Sequence, residues 1–542
     1  MNSLNSVRLL SRMSLPHAWS GRGRYVIACQ DLIDLAALMV VWNAWHEDVL
    51  RPTRLHFICK VTSWVKFSQW AIMARRQLPE VFHHQIERLA QAWPIDVPGV
   101  QRFELQGQAV TITWCLGART TPDMLGVSVD VWIDDRDQHD EPALRQACHS
   151  SANHAQAPEG DHPWSWASRA PHERHALVVG AGFAGMGVAH SLALRGWRVS
   201  VLDKGWKHPG EHIHRDHLSA ALTPVSSKDD NVRARLSRAG ALRAAQRWRH
   251  LDDSVVMRCG ALQLQRAVGR AKPLNEVVSA LGFSPDWIDY LDAKHASARA
   301  GMELSVGGTW YPYGCVVRPS RFLDAMSSTP GIEVIPFDVH RIQRQNGVWR
   351  ALDVEGKIII APLLVIANAQ SCKPLMHNSD VWPKKGRLSH MHALAGQITM
   401  IPSDILGGGP RCIVGGDGYV LPAIEQQCVS GGTYVRGAES AEITDNGVME
   451  NIERARSLLG LPLSMDAVDV SALPGWAGWR AVLPGRLPAI GPMPGQDGLW
   501  IATGYASRGL TWSALAGDLI AGYLESEPLP LESSVLNEIH NF

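Results

Sequence analysis

One third of the way along the 542-residue chain, a short apolar run, Ala176-Leu-Val-Val179, passes directly into Gly180-Ala-Gly182-Phe183-Ala184-Gly185. A helix-forming stretch over 186–195 follows, Gly196 closes it, and Trp197-Arg-Val-Ser-Val-Leu202 reads as a second strand ending at Asp203. No other feature restricts the fold as tightly. Glycines at this spacing between two strands define a βαβ unit that wraps a dinucleotide. Gly180 permits the tight turn, Gly182 lets backbone N–H groups reach a pyrophosphate, and Gly185 allows helix and strand to pack closely. The helix N-terminus then supplies partial positive charge to the phosphates, and Phe183 and Ala184, inside the glycine turn, are expected cofactor contacts. Asp203 is positioned to accept hydrogen bonds from ribose hydroxyls. An acid there disfavours a 2′-phosphate, so FAD or NAD is expected rather than NADP.

The downstream sequence separates FAD from NAD. Ala361-Pro-Leu-Leu-Val-Ile-Ala-Asn368 reads as a buried strand ending in small residues, Asn368 and Ala369 included, as suits a strand passing beneath a flavin. Leu499-Trp-Ile-Ala502 is another strand, leading into Thr503-Gly504-Tyr-Ala-Ser507-Arg508-Gly509-Leu510 and a helix from about Thr511. A second glycine turn feeding a second helix N-terminus is what FAD needs. One helix end meets the pyrophosphate and the other stabilises negative charge at the edge of a reduced flavin.

A chain this long divides into two or more domains. Formal net charge is zero, so any nucleic-acid binding depends on a local basic patch. The nine cysteines are widely spaced and contain no Cys-x-x-Cys pair, which argues against a structural zinc site or a disulfide framework and suits a reducing compartment. No metal is expected. The longest apolar stretches, near 35–45 and 361–369, are too short to span a bilayer. The expected location is the cytoplasm. Segments 1–140 alternate strand-like and helix-like runs, as in a small α/β unit. Residues 141–172 read as a linker, and 173–535 as a larger domain.

With these elements in place the chain resembles the D-amino-acid-oxidase/glycine-oxidase superfamily. More closely, it resembles the bifunctional tRNA wobble-uridine modification family (5-methylaminomethyl-2-thiouridine biosynthesis, MnmC). The resemblance rests on 177–203, Ala220-Ala-Leu-Thr-Pro224 with Asp229-Asp-Asn231, Cys259-Gly-Ala-Leu-Gln-Leu264 and Gly308-Thr-Trp-Tyr-Pro312. It rests also on Gly478-Trp-Arg480 through Leu487-Pro-Ala-Ile-Gly491, and on 503–512 with Glu527-Pro-Leu-Pro-Leu531. It implies a fold of mixed α/β and α+β character: a Rossmann-type FAD-binding domain with an interleaved antiparallel-sheet substrate domain. A truncated α/β methyltransferase-like region precedes it. FAD-binding parts fall near 173–265, 360–395 and 480–530, and substrate parts near 266–359 and 396–479. Lys204, Ala220, Leu222, Thr223, Ser507, Gly509, Leu510 and Thr511 then join the motif residues as cofactor contacts.

The resemblance also implies a reaction. A carboxymethylaminomethyl group on the wobble uridine of tRNA loses its glycine-like arm, leaving an aminomethyl group and glyoxylate. Hydride leaves the α-carbon for the flavin, and oxygen is the expected electron acceptor. The substrate carboxylate calls for an arginine fork, and Arg480 is the residue in the matching segment. Arg508 serves the flavin edge, the substrate, or the turn itself; Tyr311 and Tyr419 line the pocket or belong to the core. Two stretches depart from the family. His212-Ile-His-Arg-Asp-His217 stands where small residues near the flavin are usual, and Pro484-Gly485-Arg486 replaces Pro-Asp.

In the family the N-terminal half is an S-adenosylmethionine-dependent methyltransferase. Here the loop expected to carry glycine reads Ala28-Cys-Gln-Asp-Leu-Ile-Asp34, and Lys60-Val61 stands where an acid should follow the second strand. Asp135-Arg-Asp-Gln-His139 replaces the catalytic loop. A parallel sheet cut this short would leave apolar faces uncovered. The region is therefore read as vestigial and catalytically dead.

For tRNA, the best basic candidate is a helix carrying Arg233, Arg238, Arg243 and Arg247, with Ala234, Ala241, Ala245 and Trp248 as its inward stripe. Its plain alternative is a solvated helix face. Two further readings of the whole chain remain open at this level: an oxidase of a free small amine such as glycine or sarcosine, and a flavin-binding scaffold without catalysis.

Overall fold

A computed structural model describes residues 9–29, 35–117, 125–133, 162–266, 273–462 and 469–540. The loop at 30–34, the Asp135–His139 stretch and most of the expected linker lie outside the described residues. The chain divides into two compact units: Met1–Arg169 with Gly522–Leu536, and Ala170–Ala521 with Asn537–Phe542.

In the first unit, strand Arg24–Cys29 lies between Arg54–Val61 and Val131–Ile133, parallel to both. Val110–Leu116 extends the parallel sheet and Gly99–Gln106 closes it antiparallel. Helix Leu35–Glu47 buries Leu35 through Trp42 against one face. A run of rings, Phe67, Trp93, Trp70 and Trp114, packs there at centroid separations of 5.2–5.4 Å. The opposite face is covered as well, contrary to the expectation from a shortened sheet. Leu125, Val127 and Val129 pack on Val26, Ala28, Ile58, Val100 and Cys115. The returning segment Gly522–Leu536 adds Glu527, 1% exposed, which accepts from Arg102 Nη2 at 2.8 Å and from Arg54. Its Leu529 N–H donates to the Leu125 carbonyl at 2.9 Å. Residues 527–531, read from sequence as oxidase, thus complete the N-terminal unit, because a carboxylate there satisfies two arginines that cannot be buried alone.

Two further expectations are corrected in this unit. Residues 162–169, assigned to a linker, are packed: Trp164 is fully buried, and the Tyr523 hydroxyl donates to the Trp164 and Ala167 carbonyls. Cys29 and Cys59 form a disulfide. They are register partners on adjacent parallel strands, a proximity created by strand pairing and invisible in their spacing along the chain.

The second unit holds a six-stranded sheet in the order Ile332–Pro336, Arg198–Asp203, His175–Val179, Leu363–Ile366, Leu499–Thr503, Ala489–Pro492. All neighbours are parallel except the last pair. Its central strands are continuous apolar runs, buried at every position, as a sheet covered on both faces requires. Helices Phe183–Ala193, Val232–Arg247 and Gly509–Leu524 approach so closely that side chains are excluded at their crossings. A Cβ on Gly187 would lie 2.3 Å from the Ser513 carbonyl oxygen, and one on Gly240 2.3 Å from that of Thr511.

A larger mixed sheet of nine strands packs in the same unit, from Asp289–Leu291 through Ala261–Leu264 and Ile413–Gly416 to His392–Pro402 and Val435–Arg436, with Gly475–Val482 beside His392–Pro402. The mixed α/β and α+β architecture expected from sequence is therefore present. Its partition differs in two places. Ile332–Pro336, assigned to the substrate part, is the edge strand of the nucleotide sheet, and Ala261–Leu264, assigned to the FAD part, joins the large sheet. The first is only half-buried and so carries none of the apolar signal that marks the central strands. Among the described residues no helix is long and apolar enough to cross a membrane.

Candidate active site

The first glycine turn follows strand His175–Val179. Gly180 has φ +106°, and a Cβ there would meet Asn368 Cα at 2.8 Å. A Cβ on Gly185 would stand 1.8 Å from the Gly180 carbonyl oxygen, whereas one on Gly182 would meet nothing within 4 Å. Helix Phe183–Ala193 begins at Gly182 with no side-chain cap, which leaves its first N–H groups facing open space. That pattern, closed behind and open in front, is a cradle for phosphate. Gly185→Ala is accordingly expected to weaken FAD binding at least about tenfold. The check is flavin absorbance of the purified variant; a fully yellow protein would remove Gly185 from this role.

The second turn follows strand Leu499–Thr503, which is separated from His175–Val179 only by Leu363–Ile366. Both turns therefore leave the same edge of one sheet. They border a single cavity of about 540 Å³, lined on one side by Gly182, Phe183, Ala184, Ala369 and residues 502–510. Ala220, Ala221 and Thr223 complete that side, and the far wall comes from the large sheet, with Ile398, Tyr419, Gly431 and Arg480. The Asn368 side-chain oxygen and the Tyr505 hydroxyl are buried beside these turns without a hydrogen-bond partner.

Arg480 lies on Gly475–Val482, opposite Leu394 in the neighbouring strand. Its guanidinium rests in a bed that only glycines allow: a Cβ on Gly396 would collide with Nη1, and one on Gly432 would stand 3.0 Å from Nη2. Nη1 donates to the Thr433 carbonyl at 3.1 Å, and the Tyr434 ring covers the charge at 4.6 Å. Tyr419, half-buried nearby, has its phenol pushed up to about 12 by desolvation. Arg508 donates to the Thr223 carbonyl. Burial, with Arg233 close by, draws its guanidinium down to about 10. Neither arginine has a carboxylate within ion-pair distance among the described residues. Both guanidiniums are half-buried and line one cavity, Arg508 the more desolvated of the two, and with no carboxylate paired to either among the described residues the arrangement suits an anionic ligand.

The structure brings together Gly182, Phe183, Ala184, Ala220, Thr223, Ala369, Gly504, Ser507, Arg508, Gly509, Leu510 and Arg480 around the cavity. Gly180, Gly185 and Asn368 stand behind it as packing. Asp203 does not line it; its carboxylate accepts from the Ala181 and Gly205 N–H groups, each at 2.8 Å, so it braces the glycine turn. Lys204 is exposed and reaches Asp338 at 3.8 Å, while Leu222 and Thr511 are buried. Tyr311 is buried and does not border the cavity, unlike Tyr419. Sequence reasoning missed Tyr434, Trp476, His214 and His217, all of which line it. The only signal was the His212–His217 departure itself.

The arginine-rich helix corrects a prediction. Arg238, Arg243 and Arg247 are buried. Arg238 forms a two-pronged pair with Asp230 at 2.8 and 2.9 Å, and Arg243 and Arg247 converge on Asp518 together with Arg195. Ala234, Ala241 and Trp248 of the stripe do face inward, but three of the arginines do too, because Asp518 on the neighbouring helix receives Arg243 and Arg247, and Asp230, just before the helix, receives Arg238. Arg233, near the helix N-terminus, is half-buried.

Two helix N-termini leaving one sheet edge, facing a β-sheet wall that presents a half-buried arginine, define an FAD-dependent oxidoreductase. Residues 175–523 match the model of the FAD dependent oxidoreductase family, DAO. The tRNA 5-methylaminomethyl-2-thiouridine biosynthesis bifunctional protein MnmC of Ralstonia nicotianae is 30% identical, covering 96% of this chain and 90% of its own length. The protein of that name from Paraburkholderia phytofirmans is 28% identical, with 97% and 91% covered. The chain belongs to the MnmC family, and its oxidoreductase portion to the DAO family. Its fold is similar to glycine oxidase from Geobacillus kaustophilus (TM-score 0.53, 19% identity, 68% of this chain and 99% of that one). Iminodiacetate oxidase from a Chelativorans species is also similar (TM-score 0.51, 21% identity, 65% and 96% covered). The cofactor is FAD, and the uncapped start of helix Phe183–Ala193 and the open Gly182 cradle fit it.

Proposed function

We propose that the protein modifies the wobble uridine of tRNA by FAD-dependent oxidation of a carboxymethylaminomethyl arm, releasing glyoxylate and leaving an aminomethyl group, with oxygen as electron acceptor. Bound FAD supplies a hydride acceptor. Arg480, its Nη1 anchored on the Thr433 carbonyl, would grip the carboxylate. Arg508 would balance negative charge at the flavin edge, and the positive charge of the guanidiniums lining the cavity would favour the neutral form of the amine. The single observation that supports this reading is the pair of half-buried arginines, neither with an acid within ion-pair distance among the described residues, lining the cavity shared by both nucleotide turns.

The N-terminal unit, in our reading, has lost methyl transfer. Lys60 and Val61 close strand Arg54–Val61 where a ribose-binding acid would stand. One experiment tests both parts: tRNA from a strain lacking the gene is incubated with purified protein, FAD and S-adenosylmethionine, then analysed by nucleoside mass spectrometry. Carboxymethylaminomethyl uridine should fall and aminomethyl uridine rise with no methylated product. An unchanged starting nucleoside would defeat the oxidase reading, and a methylated product the loss of methyl transfer.

A second reading, oxidation of a free small amine, is favoured by one observation: burial of Arg243 and Arg247 removes the sequence argument for an RNA-gripping helix. Turnover with free glycine or sarcosine but not tRNA would select it.

A further inference from the structure

His214, His217 and Trp476 have no role in the reading above. The two imidazoles lie against the Trp476 indole at centroid distances of 5.1 and 4.3 Å and interplanar angles of 24° and 12°. Rings on opposite faces would be separated by nearly the sum of those distances. The imidazole centroids are only 5.5 Å apart, so both cover the same face. Their Nδ1 atoms meet at 3.2 Å, and Trp476 Nε1–H donates to the Ile213 carbonyl at 3.0 Å. Burial holds His214 down to about 4 and His217 well below the usual range, and the nearness of His212 to the first and of Arg480 to the second works in the same direction, so the backing is neutral. The indole is pinned on one face and along its polar edge. Its other face has no ring or cation partner among the described residues, and Trp476 borders the cavity.

Trp476, Gly478 and Arg480 project from one face of their strand. A Cβ on Gly478 would stand 2.3 Å from Trp476 Cη2, so the indole leans along the strand over Gly478, toward Arg480. Four residues span about 13 Å of strand, and the lean shortens the gap between the two side chains. A carboxylate held about 3 Å from the guanidinium, followed by an arm of four bonds reaching roughly 5 Å, brings the ring that bears the arm to the indole. The geometry points to the uncovered face of Trp476 as the stacking platform for the pyrimidine whose arm is oxidised. This inference rests on the functional reading above, and adds how the site tells a nucleobase-borne amine from a free one. Stacking on an aromatic side chain suits a base extruded from a single-stranded loop.

The test uses the full chain with FAD bound, and an anticodon stem–loop carrying carboxymethylaminomethyl uridine. Trp476→Leu should weaken stem–loop binding about tenfold or more, with FAD affinity and the visible flavin bands unchanged. Trp476→Phe should restore binding to within about threefold, which a merely structural role would not require. If Trp476→Leu instead shifts the flavin bands or loosens FAD while stem–loop affinity holds, the ring on the platform is the flavin and the inference is overturned. Unchanged behaviour in both measurements overturns it as well. Failure of the unsubstituted protein to bind the stem–loop would count against the tRNA reading itself, and is seen before any variant is made.

Discussion

Arg480→Ala is expected to lower kcat/KM by about 10²- to 10³-fold while the protein stays yellow. Charge-assisted hydrogen bonds from a guanidinium to a carboxylate contribute roughly 1.5–3 kcal/mol each, and a tenfold rate change corresponds to about 1.4 kcal/mol. Arg480 holds none of the nucleotide turns, so its loss spares FAD. Among the described residues its one hydrogen bond goes to the Thr433 carbonyl, which leaves the rest of the fork for substrate. Arg480→Lys should recover only part of the loss, since an ammonium cannot lie flat between Gly396 and Gly432 and offer two parallel donors. Steady-state kinetics beside the flavin spectrum decide the matter. A variant that binds FAD and turns over normally would show that another group anchors the carboxylate.

The nucleotide half of this site was legible because its signals are local. Turn glycines, an uncapped helix start and buried β-branched strands are written in consecutive residues, and both turns emerge where that pattern places them, on one sheet. The substrate wall was legible at Arg480, through resemblance, and at Tyr419, which the sequence offered as pocket or core. Trp476 meets the cavity because Gly475–Val482 pairs with His392–Pro402, and Tyr434 because Val435–Arg436 pairs with that same strand; long-range pairing leaves no mark on these segments. Asp203 was half legible: the acid is where the motif requires it, yet its carboxylate is engaged by the Ala181 and Gly205 N–H groups. The arginine-rich helix misled for the converse reason. A helical wheel ranks arginine as solvent-facing, and Asp518, the residue that reverses the ranking, lies 271 positions from Arg247.

That carboxylate carries the other large prediction. The Asp518 side chain is fully buried, as is that of Arg195, and those of Arg243 and Arg247 are 1% and 4% exposed. Asp518→Asn keeps shape and hydrogen-bonding capacity but withdraws the charge on which three guanidiniums converge. Removing one partner from a buried ionic cluster costs roughly 3–5 kcal/mol, because the remaining charges stay desolvated. The thermal midpoint of the FAD-bound protein should fall by on the order of 10 °C. The helix carrying Asp518 begins at the second nucleotide turn, so weaker FAD retention should accompany the fall. The same logic reassigns the helix arginines: Arg243→Glu with Arg247→Glu should destabilise the fold rather than selectively weaken RNA binding. A stable Asp518→Asn protein, together with a stable double-reversal variant that has lost only RNA affinity, would return those arginines to the surface and refute the buried cluster.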